Sequence, residues 1–119
     1  MFSGCSNTKY SFYGIIDNSD GSTVIKYVDI DETIKSEFDG YLSSYIILNN
    51  DGSFKWSTTK GEGDYYVETI TCGTYVIDED KLKLALSKEA KEKEVYYNLT
   101  MKNDSIVVFD GEYFIIFKK

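Results

Sequence analysis

The chain of 119 residues contains no histidine, proline, arginine or glutamine. Without histidine it lacks both the commonest general base and the commonest metal ligand. Nucleophile systems of the Ser-His-Asp and Cys-His types are therefore excluded. Cysteine is limited to Cys5 and Cys72, and two thiols with no imidazole do not make a zinc site. No run of about 18 apolar residues occurs, so no membrane-spanning helix is expected. Positive charge is short: 13 lysines face 20 acids, for a net charge of −7. Sequence-independent nucleic-acid binding needs a basic surface, which this balance disfavours. A phosphate-cradling loop is also missing, because Gly61-x-Gly63 lies in a loop with no helix after it. Among the acids nothing singles out a hydrolytic pair. The expectation is a non-enzymatic protein with no catalytic residue, no metal and no cofactor.

What the chain does have is aromatic and β-branched residues. There are 11 tyrosines, seven phenylalanines and one tryptophan, and aromatics reach 16%. Such residues suit a pleated, half-buried surface. The length fits one domain, with residues 1–9 expected as an N-terminal tether and 10–119 as the folded unit.

Phe2-Ser3-Gly4-Cys5 resembles the end of a bacterial lipoprotein signal, in which a small residue precedes a lipidated cysteine, with Phe2 where leucine is usual. The polar residues Ser6 to Lys9 fit a tether from such an anchor. The resemblance implies an extracytoplasmic, membrane-anchored lipoprotein that touches the membrane only through a lipid on Cys5. If Cys5 is lipidated it cannot form a disulfide, and Cys72, inside the apolar run Val67 to Ile77, is then expected as a small buried hydrophobe.

Alternation predicts strands at Tyr10–Ile16, with Tyr10, Phe12, Gly14 and Ile16 on one face, and at Thr23–Ile30. In Asp31 to Leu42 the period changes. Ile34, Phe38 and Leu42 form one helical stripe, Asp31 fits an N-cap, and Gly40 is expected to end the helix. A meander follows: Ser44–Leu48, an Asn50-Asp51-Gly52 turn, Ser53–Thr59, a flexible loop Lys60–Asp64, and Tyr66–Ile77, bent near Gly73. Next come Lys81–Ser87, a charged solvated turn at Lys88–Glu94, Val95–Met101, Ser105–Phe109 and Glu112–Lys118. Asp17, Asn18, Asp20, Asp29, Asp31 and Glu32 offer hard oxygens, but their spacing does not fit an EF-hand and reads as turns. The fold class expected is all-β with one short helix, an antiparallel up-and-down barrel of about eight strands.

Ile46-Ile47-Leu48-Asn49-Asn50-Asp51-Gly52-Ser53-Phe54 and Gly73-Thr74-Tyr75-Val76-Ile77-Asp78-Glu79-Asp80-Lys81-Leu82-Lys83-Leu84 are similar to successive hairpins of small bacterial lipocalin-like lipoproteins. The resemblance covers roughly residues 45–118. It implies an up-and-down barrel, surface anchoring and an apolar cavity, with no fixed ligand. Lipocalins carry Gly-x-Trp on the first strand, whereas this chain has Tyr13-Gly14-Ile15 there and its one tryptophan at Trp56.

Two binding modes follow. A small apolar ligand would be lined by Phe54, Trp56, Tyr75, Tyr97 and Leu99, which share the inward parity of their strands. Alternatively those side chains fill the interior, as in small barrels generally. The chain is then an interaction or inhibitor-type protein, its acidic surface and the tyrosines Tyr65, Tyr66 and Tyr96 meeting a basic secreted partner. Phe109, Tyr113, Phe114, Ile115, Ile116 and Phe117 are apolar on both strand faces. They are expected to be covered twice: by the core on one side, and by the helix, the anchor segment or a homodimer partner on the other.

Overall fold

Strands with one apolar face can bury all those faces at once by closing into a barrel. The computed structural model, which describes residues 7–62, 65–86, 96–102 and 104–119, shows this solution. The chain opens with β1 (Asn7–Ile16) and β2 (Val24–Lys26), then a 3-10 turn (Tyr27–Asp29), α1 (Glu32–Lys35) and a 3-10 helix (Ser36–Ser43). The meander consists of β3 (Tyr45–Asn49), β4 (Ser53–Glu62), β5 (Tyr65–Asp78), β6 (Lys81–Leu86), β7 (Tyr96–Lys102), β8 (Ser105–Phe109) and β9 (Phe114–Lys118). From β3 to β9 each strand pairs antiparallel with the next, and β1 pairs with both β3 and β9. Eight strands therefore close into an antiparallel barrel, and β2 adds a short strand beside the end of β1. Closure leaves few free edges.

The barrel has two ends. At the lower end Asn7 pairs with Asn49 beside the Asn50–Gly52 turn, where Gly52 takes a positive φ of 91°. At the upper end lie the β1–β2 and β8–β9 turns, joined by a hydrogen bond from Asn18 Nδ2 to the Glu112 carbonyl, 3.1 Å.

One apolar cluster fills the described interior, including Tyr10, Ile15, Ile46, Leu48, Leu82, Leu84, Ile106, Ile115 and Phe117. Ile30 and Phe38, from the helical connection, belong to the same cluster. The connection reaches the barrel through aromatic rings. Phe12 lies 5.8 Å from Tyr27 and 5.5 Å from Tyr41, and Phe38 lies 5.1 Å from Tyr113, edge to face.

Several boundaries differ from the sequence expectation. β1 begins at Asn7, so Asn7–Lys9, read as tether, are strand. The register with β9 shifts between Phe12 and Gly14, a bulge that turns Ile15 into the core. The continuous face Tyr10, Phe12, Gly14 and Ile16 therefore does not form. β2 is three residues long and gives way to the 3-10 turn at Tyr27. The expected helix splits. Asp31 does cap it, its carboxylate accepting from Thr33 N at 2.9 Å, but only Glu32–Lys35 is α-helical. With three residues per turn in the 3-10 segment, Phe38 and Tyr41 share a face, and Leu42 is left 58% exposed. Gly40 does not end it. Cys72 is exposed, because β5 alternates and Gly73 and Tyr75 take the inward parity. The segment Lys88–Glu94 lies outside the described residues. The C-terminal strands are covered on their inner face, where Ile115 and Phe117 join the core.

Tyr41 ties the connection to the upper turns. Its hydroxyl donates to Asp110 Oδ2 at 3.3 Å. Burial, and then the charge and hydrogen bond of Asp110, push its pKa up to about 12. The fold therefore favours the neutral phenol. That contribution is complete below the unfolded value near 10 and is lost as pH climbs to about 12. Stability measured by urea titration is expected to fall across this window, and Tyr41→Phe is expected to flatten the fall.

Candidate binding site

The five residues expected to line a cavity are placed as follows. Phe54 is 2% exposed and Leu99 8%, both within the core cluster. Trp56 and Tyr75 are partly buried and pack against it. The Tyr75 hydroxyl donates to the Asn49 carbonyl at 2.8 Å, which fixes its ring beside the β3–β4 turn. The Tyr97 backbone pairs with Leu84, and its side chain lies outside the described residues. Four of the five thus meet in or against one packed core.

The sequence pattern hides a different feature. β3 accompanies β4 only as far as the Tyr45–Ser57 pair, and β6 accompanies β5 only from Gly73 onward. β4 and β5 nevertheless stay paired with each other out to Glu62–Tyr65. Among the described residues, Thr58–Glu62 and Tyr65–Thr69 form a two-stranded arm extending from the upper end. The segment Lys60–Asp64, expected as a flexible loop, is strand as far as Glu62, and residues 63–64 lie outside the described part. Exposure shows the arm's independence. Val67, Glu68, Thr69 and, at its root, Ile70 are all exposed, without the alternation of a strand lying on a core. Tyr65 and Tyr66 begin β5 and so occupy the distal end of the arm. Tyr96 begins β7 and pairs with Ala85, which in turn pairs with Thr74 near the arm's root. The backbone thus brings the three expected interaction tyrosines to one end of the barrel, and their side chains lie outside the described residues.

The root of the arm is braced. Thr59 N donates to Ser44 Oγ at 3.3 Å, and Ser43 Oγ donates to Thr59 Oγ1 at 3.2 Å. Ser57, fully buried, donates to Glu68 Oε2 at 2.6 Å and locks the two strands together. Beside this brace lies a pocket of about 380 Å³ lined by Tyr27, Asp39, Gly40, Leu42, Ser43 and Thr59. Asp39 Oδ1 accepts from the Tyr27 hydroxyl at 2.7 Å. The pocket offers a carboxylate and three hydroxyls beside exposed Leu42, chemistry suited to a polar side chain of a docked partner. None of the five expected lining residues borders it.

Sequence reasoning missed this pocket, because an α-helical pitch buries Leu42. It missed the arm because Gly61, Glu62, Gly63 and Asp64 carry loop chemistry. The one available signal was the unusual apolar length of Val67 to Ile77, too long for one side of a small barrel. Among the described residues no group of three or more metal-ligating side chains comes together. Nor is any described helix long and apolar enough to cross a membrane. Comparison with family models, curated proteins and solved structures finds no match.

Proposed function

We propose that this chain is a non-enzymatic, lipocalin-like barrel that binds another protein through its upper end, with the β4–β5 arm as the main contact. The observation that carries this reading is the division of the molecule. Its described interior is packed with its own side chains, while among the described residues the β4–β5 arm runs on past its neighbouring strands with consecutive exposed residues. A backbone held by strand pairing loses less freedom on binding, and tyrosine as a residue type supplies large contact area with few rotatable bonds. The net charge of −7 favours a basic partner.

Anchoring fits the same polarity. Cys5 precedes Asn7 by two residues, and Asn7 lies at the lower end. A lipid on Cys5 would hold that end against an extracytoplasmic membrane face and direct the arm away from it.

The test is site-specific photo-crosslinking on the cells that make the protein, with the probe at Tyr66 or Thr69 and a control at Lys81 near the lower end. Discrete protein adducts from the arm positions, and none from Lys81, are expected. An arm that yields no adduct, together with a small apolar molecule retained through purification, would instead establish the carrier reading with Phe54, Trp56, Tyr75, Tyr97 and Leu99 around it.

A further inference from the structure

The outer face of the C-terminal strands carries an apolar strip that the helical connection does not reach. Its register is fixed by four strands. Ile16 pairs with Val24 on one side, Ile15 pairs with Ile115 on the other, and Phe109 pairs with Phe114. Ile15 and Ile115 point into the core, so their chain neighbours Ile16 and Phe114 point outward. One row therefore crosses β2, β1, β9 and β8 as Val24, Ile16, Phe114 and Phe109. Val24 is 49% exposed, Phe114 43% and Phe109 56%. The two phenylalanine rings lie 4.8 Å apart. In the next row Ile116 pairs with Gly14 and Val107, and Gly14 pairs with Lys26. Ile116 is only 4% exposed, so the accessible apolar surface is the upper row.

Charge is distributed unevenly around this strip. Beyond its upper edge stand Asp17, Asp20, Asp110 and Glu112 in the two upper turns. Toward its lower edge stand Lys26, Lys118 and Lys102, each exposed and each next to an inward neighbour, Ile25, Phe117 and Met101. Lys118 Nζ is seated over the Tyr13 ring at 4.4 Å from its centroid. Asp104, at the same end, is occupied by Lys119 at 3.4 Å. The face thus reads acidic, apolar, basic from top to bottom.

We infer that this face is the interface for a second copy of the chain. Two such faces related by a twofold axis that lies between them and runs across the strands are antiparallel. The acidic edge of each then lies on the basic edge of the other, and the phenylalanine rows meet between them. A generic basic partner would complement only the upper edge, and an anionic membrane only the lower. A second copy complements both. Four strands at the usual spacing and three rows give a curved strip at most roughly 19 by 20 Å. That is the size of a weak, reversible contact, with dissociation expected in the micromolar range.

The test is sedimentation equilibrium of the full chain over about 1–200 µM, the span appropriate to a contact of this size. The mass is expected to rise from one chain to two, and Phe109→Ser/Phe114→Ser is expected to stay a single chain throughout. Both rings are exposed, so circular dichroism of this variant should remain that of the parent. Lys26→Glu/Lys118→Glu and Glu112→Lys are each expected to weaken association about tenfold, and mixing the two variants to restore it. A single-chain mass at every concentration would overturn the inference, leaving the strip to a different protein or a membrane. So would a dimer indifferent to the phenylalanine and lysine substitutions. Neither result bears on what the arm binds.

Discussion

Replacing Gly73 with valine is expected to cost about 3 kcal/mol or more and to lower the melting temperature by roughly 10–15 °C. Gly73 lies in β5 between Phe54 of β4 and Leu86 of β6. A Cβ built there would sit 2.0 Å from the Ala85 carbonyl oxygen and 2.9 Å from Phe54 Cε1. The first of these is backbone in a paired strand, so relief requires the β5–β6 ladder to open. Phe54 is itself 2% exposed and has no space to retreat into. Even alanine introduces this contact, so Gly73→Ala is expected to be nearly as damaging. A chemical denaturation series on both variants provides the check. A loss under 1 kcal/mol would mean that the strands part more easily here than their packing indicates.

Phe38→Ala is expected to cost about 3–5 kcal/mol, against less than about 0.5 kcal/mol for Leu42→Ala. Phe38 is 1% exposed, stacks on Tyr41 at 6.3 Å and meets Tyr113 at 5.1 Å. Its removal leaves a hole where the helical connection joins the barrel, flanked by rings that cannot collapse inward without breaking their own contacts. Leu42, four residues on, is mostly in water. An uninterrupted α-helix would put both residues on one buried stripe and give both substitutions large effects. The paired measurement therefore tests the pitch of Ser36–Ser43 as well as the worth of one ring.

That pitch marks where the sequence stops being legible. Periodicity is a local signal, and it placed the barrel strands well. Leu82 and Leu84 point inward and Lys81 and Lys83 outward, as alternation requires. The Asn50-Asp51-Gly52 and Asp110-Gly111 turns fall where expected, with positive φ at both glycines. The departures come from nonlocal causes. The bulge near Tyr13 exists because β1 must keep pairing with β9 while its strand bends, and nothing within Tyr10–Ile16 announces it. The 3-10 winding lets Tyr41 reach Asp110, 69 residues away in sequence. The arm persists through Gly61 because β5 supplies a full set of partners there. Of the candidate site, the strand positions of Tyr66 and Tyr96 were legible from alternation, and the side chains of both and of Tyr65 lie outside the described residues. The grouping of Asp39, Ser43 and Thr59 was not legible, since only the folded chain sets a helical end beside a strand.

The pairing of β1 with β9 also sets the order in which the molecule can be made. Residues 17–113 separate the two strands, so this contact carries the largest loop-closure entropy in the sheet. Every other ladder of the meander joins near neighbours and can form as the chain lengthens. The seam cannot form until Phe114–Lys118 has been synthesised. Before that point the nascent chain is an open sheet with unpaired edges at β1 and β8, the state most exposed to sticking to its own kind. Barrel folding dominated by distant pairings proceeds in milliseconds to seconds, so closure is a single late event, and any factor that shields the open edges has that interval in which to act.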